Sequence, residues 1–462
     1  MIRVTRKEKR TKESKINFFA EFIKIQKHFF SDFTKKLREV KEVRNTSYIT
    51  YEPDILLFTV IMKNIAGISS MNRMTRDFNT DETINNIKNI LEMKDLDEIP
   101  HYDTINNFLK KLEIEELEKI RDYMIRNLLR KRTLEKMRLD NKYWWIAIDG
   151  TQIASFDHKH CEHCLKKTYR NKDTEEIERV DYFHNVLEAK LIVGGMVFSI
   201  ATEFIENEYE EYEKQDCEIN AAKRLLKKLK YKFKNLPICI LGDSLYACKS
   251  LYDICEEYNW KFIFRFKEGR AKILWNEFVE LKNIESFKII TQDSSKTDIH
   301  EYVNEVYYHD IFVNLIETEE IKVKKHKDFV FVTNIEITNE NATDISNAGR
   351  SRWKIENEGF NNQKNIRFDI THACSLNDNA MKNHYLLVQI ADILRQLLEF
   401  GSKALEELNL GIKEISSRLL ESFRRDTLTT EDITHINKRT RISLLWYKFY
   451  QRWWLKERLF RK

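Results

Sequence analysis

The chain has 462 residues, of which 42% are hydrophobic, 12% aromatic and 33% charged, with a formal net charge of +5. This length exceeds what one hydrophobic core usually holds, so two or three domains are expected, and the composition excludes a disordered or low-complexity chain. No stretch reaches the roughly 20 apolar residues that span a bilayer, and the first residues lack the apolar core of a signal peptide. A membrane protein is thereby excluded and a cytoplasmic one expected, in which the seven cysteines are reduced thiols.

The small net charge conceals its distribution. Arg3, Arg6, Lys7, Lys9, Arg10 and Lys12 open the chain. From residue 16 to about 140 aromatic and aliphatic residues recur at three- and four-residue spacing, which predicts helices throughout, a region of 1–140 suited to DNA binding. Within it, IPHYDTINNFLKKLEIEELEKIRDYMIRNLL reads as a short helix, a turn and a longer helix, with Asp103 or Thr104 as N-cap. A helix pair that merely packs on the rest of the chain fits equally well.

The period changes at residue 143. YWWIAID predicts a buried strand ending near Asp149, and VLEAKLIVGGMVFSIATEFI two strands joined at Gly194-Gly195. DCEINAAKRLLKKLKYKF is an amphipathic helix, with Asp216 and Glu218 complementing its dipole. LPICILG is a strand leading into Asp243, SLYACKSLYDICEEYN a helix, and WKFIFRF a further strand. This first part of an α/β core, 141–267, is followed by an irregular strand-rich insertion over 268–340 and by a second part, 341–400. There a helix beginning near Ser346 carries Arg350, Arg352, Trp353, Glu356 and Phe360. Residues 401–462 form a basic helical C-terminal region. In it Trp446, Tyr447, Lys448, Tyr450, Arg452, Trp453, Trp454 and Lys456 either neutralise phosphates and stack on bases or pack on the core.

An unpaired carboxylate at the edge of a buried element is costly without a positive neighbour. Asp149, Asp243 and Glu356 together suit a site in which two Mg²⁺ ions, held by few carboxylates, transfer a phosphoryl group. Arg352, one turn before Glu356, shares its face and is fit to orient that carboxylate or to contact a phosphate. Glu358 points to a different face, and Asp157, Asp181 and Asp216 end no apolar strand. A second motif, HKHCEHC, holds His158, His160, Cys161, His163 and Cys164; with His184 or Cys217 it would complete a tetrahedral structural Zn²⁺ site, chance thiols in a loop being the competing reading.

The order of strands, with one Asp at the end of the first and another after the fourth, resembles the RNase H-like fold of DDE transposases. Over residues 140–400 it is similar to insertion-sequence transposases of the IS-four type, in which a β-rich insertion precedes the catalytic Glu. KQDCEINAAKRLLKKL and NHYLLVQIADILRQLLE look like a divergent branch. The family signature runs Tyr, Arg, Glu, Lys; Arg352 and Glu356 match, whereas Gly349 and Gln363 stand in place of the Tyr and Lys, with Lys364 one position late. The resemblance implies an RNase H-like mixed sheet flanked by helices, with the first and fourth strands adjacent. It implies catalysis by Asp149, Asp243, Glu356 and Arg352, two Mg²⁺ ions with Mn²⁺ as a substitute, double-stranded DNA as partner and a homodimer in the DNA complex. The implied function is to bind the terminal inverted repeats of an insertion sequence, cleave them and transfer the 3′ ends to target DNA. A nuclease without strand transfer and an inactive DNA-binding derivative are the alternatives.

Overall fold

The computed structural model describes residues 16–135, 137–171, 173–207, 215–292, 296–322 and 325–438, with Ile442 and Leu444. The basic residues before position 16 and the aromatic-basic run 446–456 lie outside these. The described residues form a mixed α/β protein whose ten strands make one sheet: β1 Trp144–Phe156, β2 Leu165–Arg170, β3 Ile177–Val193, β4 Met196–Ile205, β5 Ile238–Gly242, β6 Lys261–Phe266, β7 Phe287–Gln292, β8 Thr297–Tyr308, β9 Ile311–Lys322 and β10 Lys325–Thr333.

The centre of the sheet is the path β4–β3–β1–β5–β6. β3 runs antiparallel to both β1 and β4, and β1, β5 and β6 are parallel to one another. This is the RNase H-like order, and it sets β1 beside β5, pairing Trp144–Ala147 with Ile238–Leu241. The parallel strands are covered on both faces, which is why they read as unbroken apolar runs: all five residues of β5 are buried. Gly194 and Gly195 make the two-residue hairpin between β3 and β4, Gly194 at φ 63°, where a Cβ would be strained.

The insertion does not fold apart. β10 pairs with β6, and β9, β8 and β7 follow in turn, so the insertion continues the central sheet. It also contains a helix, Lys272–Glu285, in what the sequence suggested was an irregular strand-rich segment. Beyond the insertion the expected long helix is two elements. Ala342–Ser351 is α-helical and begins after Asn341; Ser346 lies inside it, its hydroxyl taking a bond from Thr318 at 2.8 Å. Ile355–Asn361 is then a π-helix. Such segments widen the turn, shift the helical register and recur at functional sites.

Helix Asp378–Gly401 is buried on nearly every side. It packs against β4 on one flank and against helices Phe18–Phe29, Pro53–Ile65, Tyr102–Leu109 and Ile114–Leu129 on the other. Its polar residues are therefore paired internally: Arg367 meets Asp392 at 3.3 Å and Glu399 at 2.9 Å, and Gln396 bonds both backbone groups of Val197. The expected helix pair is present as Tyr102–Leu109 and Ile114–Leu129, but the first is capped by the His101 side chain, not by Asp103 or Thr104. The inner face of the second is committed to the core, where buried Arg121 donates to Ser199 and Thr202 of β4. Helix Phe18–Phe29 packs in turn on helices Ile412–Arg425 and Thr430–Asn437, with Asn17 bonded to Asp432 at 3.3 Å. Among the described residues no helix is long and apolar enough to cross a membrane.

Candidate active site

β1 runs well past the point where β5 ends its pairing with it at Ala147, so Asp149 stands in the interior of a long strand and not at its end. Asp243 directly follows Gly242, the last residue of β5, as expected, and its Oδ1 accepts the Leu245 N–H at 2.7 Å. The parallel register of β1 and β5 thus brings two aspartates distant in sequence to one end of the paired segment. Arg352 follows the α-helix and Glu356 lies on the π-helix. Arg352 Nη1 is 3.3 Å from Asp149 Oδ2 and 2.8 Å from Glu356 Oε1, so this guanidinium bridges the strand carboxylate to the helix carboxylate. Asp149 is largely buried, with 16% of its side chain exposed, while Glu356 at 45% faces the open side.

Burial pushes the Asp149 carboxyl up to about 7; Arg352 opposes this, and the negative charges of Glu356, Glu218 and Asp243 add to it. Glu218 belongs to the same cluster. It opens helix Glu218–Lys232, as the sequence suggested, but it also accepts the Tyr246 hydroxyl and the Gly150 N–H, and burial with the charge of Asp243 raises its own carboxyl. A Cβ at Gly150 would stand 2.8 Å from Glu218 Oε2, so a residue without a side chain is what admits this carboxylate. Three further acidic groups thus converge on Asp149, and Arg352 contacts two of the four, Asp149 and Glu356. The donor set is hard carboxylate oxygen, partly desolvated and under-neutralised, which fits divalent cations such as Mg²⁺. Asp149, Asp243 and Glu356 are the residues that would hold them.

The other acids considered from sequence turn elsewhere. Asp157 pairs with His158, Asp181 with Arg179 and Asp216 with Arg224. Glu358 lies toward Lys354 and Arg367. The two departures from the transposase signature have steric and polar reasons. A Cβ at Gly349 would stand 2.6 Å from the Phe331 ring, leaving no room for a tyrosine. Gln363 is fully buried and donates to Gln389 at 2.9 Å and Asp392 at 2.8 Å, so this position is committed to an internal polar network. Gly349→Ala is accordingly expected to destabilise the protein by about 1–3 kcal/mol in chemical denaturation; an unchanged midpoint would mean that Phe331 moves freely.

Residues 213–394 match the family described as the transposase DDE domain, a stretch that contains Glu218, Asp243, Arg352 and Glu356 and leaves Asp149 outside it. No curated protein matches the chain. The match, over less than half of the chain, supports a DDE transposase family, a class that generally uses divalent metals.

Proposed function

We propose that the protein is a DDE transposase of the IS-four type that binds the terminal inverted repeats of its element, cuts them, and joins the freed 3′ ends to target DNA. The observation that carries this reading is the cluster in which Asp149 feels the charges of Asp243 and Glu356 and is bridged to Glu356 by Arg352, on an RNase H-like sheet. Asp149, Asp243 and Glu356 would hold two Mg²⁺ ions, which would supply activation of the attacking oxygen and charge stabilisation at the leaving oxygen of an in-line displacement. The chain's own residues supply the frame. Asp149 and Asp243 are held by parallel strands, Glu218 and Tyr246 back the site from the neighbouring helix and turn, and Arg352 orients Glu356 and offers a bidentate donor to a phosphate.

Because the same centre accepts either water or a 3′-hydroxyl as attacking group, hydrolysis and joining need no second site. Two ends must be held together for joining, so a homodimer on DNA is expected, acting on nucleoid DNA in the cytoplasm. The second reading, a nuclease without strand transfer, uses the same residues and separates in one assay. A pre-cleaved terminal-repeat duplex with a free 3′-hydroxyl, incubated with supercoiled plasmid and Mg²⁺, is expected to give covalently joined products. Cleavage of the uncut duplex with no joining of the pre-cleaved one would favour the nuclease.

The raised Asp149 carboxyl sets a proton linkage. Cation binding requires the ionised form, so at pH about 6, below its value of about 7, Mg²⁺ uptake is expected to release a proton, and at pH about 9 to release none. Calorimetry in two buffers of different ionisation heat reads this directly; equal heats at the lower pH would remove Asp149 from the cation site.

A further inference from the structure

Among the described residues one set of histidine and cysteine side chains has all its donor atoms within 4.8 Å of one another: His160, Cys161, Cys164 and His184. The first three lie on the loop between β1 and β2; His184 comes from β3, opposite Ala154 of β1. Cys164 Sγ is 3.3 Å from His160 Nδ1 and 3.5 Å from His184 Nε2, and Cys161 Sγ is also 3.5 Å from His184 Nε2. With Zn–S of about 2.3 Å and Zn–N of about 2.0–2.1 Å, the edges of a tetrahedron are about 3.5 Å for S to N and about 3.8 Å for S to S. The observed S–N edges fall at these values. The two sulfurs, 3.1 Å apart, are closer than that edge and well beyond the roughly 2.05 Å of a disulfide.

We propose that His160, Cys161, Cys164 and His184 bind one structural Zn²⁺ ion. Binding converts both thiols to thiolates, and their two protons leave to solvent. The structure also separates ligands from bystanders within HKHCEHC. His158 is exposed and paired with Asp157, and His163 Nδ1 lies 2.9 Å from the Asn207 carbonyl. Cys217 is not in the set. Behind the site His184 Nδ1 faces Asp378 Oδ1 at 3.8 Å, the carboxylate placement that commonly orients a metal-bound imidazole, and Asp378 is itself held by Lys382 at 2.6 Å.

The ion would tie the loop to β3 immediately before β2, whose Lys166, Lys167 and Arg170 are exposed. It would be separate from the carboxylate cluster. His184 pairs with Ala154, five residues along β1 from Asp149, which at about 3.4 Å per residue is about 17 Å.

Full-length protein purified without chelator and analysed by elemental mass spectrometry is expected to hold one zinc per chain. The zinc should be lost in the double variant Cys161→Ser, Cys164→Ser and kept in His158→Ala, His163→Ala and Asp149→Ala. Should the double variant fail to fold, the wild type loaded with Co²⁺ gives an independent reading: visible bands of tetrahedral cobalt and a thiolate-to-metal charge-transfer band are expected. Zinc-free protein that also fails to develop these bands, a Cys161–Cys164 disulfide in its peptides, or loss of zinc on changing His158 or His163 would overturn the assignment.

Discussion

Asp149→Asn is expected to lower Mg²⁺-dependent DNA cleavage by a factor on the order of 10³ while leaving the melting temperature equal or higher in metal-free buffer above neutral pH. The two effects have one cause. In the folded protein this carboxyl is pushed up to about 7, above its value of about 3.9 in an unfolded chain. The unfolded state therefore gives up its proton first, and the stability contributed by this group falls as pH rises from about 4 to about 7. Asparagine keeps the shape without the charge and removes that loss, and Arg352 retains Glu356 as partner. Melting curves at several pH values with parallel cleavage assays measure both effects. A variant that melts far below the wild type at every pH would assign Asp149 a structural role instead.

The largest stability effect is expected at Arg367→Leu, a loss of about 3–5 kcal/mol, because it removes the guanidinium that two buried carboxylates share. Arg367 is 3% exposed and its partners Asp392 and Glu399 are 2% and 4% exposed, so solvent cannot take its place. Arg395 remains 3.5 Å from Glu399, and Asp392 keeps the amides of Gln363 and Gln396, none of which replaces the two-way pairing of Arg367. The network also holds the exit of the π-helix: Arg367 Nη1 reaches the Glu358 carbonyl at 3.5 Å, and Gln363 ties the same segment to Asp392. Cleavage per folded molecule should therefore fall as well, through misplacement of Glu356. Burial raises the Asp392 carboxyl, so the deficit should shrink in acid, where this group takes up a proton. Urea denaturation at acid and neutral pH tests this; a loss under 1 kcal/mol at neutral pH would mean that the carboxylates find other partners.

The central sheet was legible because its chemistry is one-dimensional. Strands buried on both faces appear as apolar runs, and both YWWIAID and LPICILG are of that kind. The adjacency of β1 and β5 followed from the resemblance in strand order, not from any local signal. Other features depend on contacts that spacing does not encode. Glu218 reads as an ordinary first-turn acid, and only the bare backbone of Gly150 with the Tyr246 hydroxyl brings it to Asp149 and Asp243. The strand LKKTYR of β2 is too polar to announce itself, and the helix Lys272–Glu285 lies within a segment dominated by strands. The π-helix was not visible either: its residues have a helical period, and the widened turn is a property of packing against the sheet. Both thiols of HKHCEHC were recognisable as donors, but His160 was separated from His158 and His163 only by the course of its loop, and His184 was brought to them only by the register of β1 and β3.

The measurement that bears most directly on the carboxylate cluster is cleavage of a labelled duplex carrying the element's terminal repeat, with Mg²⁺ and without, by the wild type and by Asp149→Asn, Asp243→Asn and Glu356→Gln. Cleavage by the wild type only when Mg²⁺ is present, lost in all three folded variants, is the predicted result. Full activity in any one of them would remove that residue from the site, and wild-type cleavage that persists without a divalent cation would contradict the account as a whole.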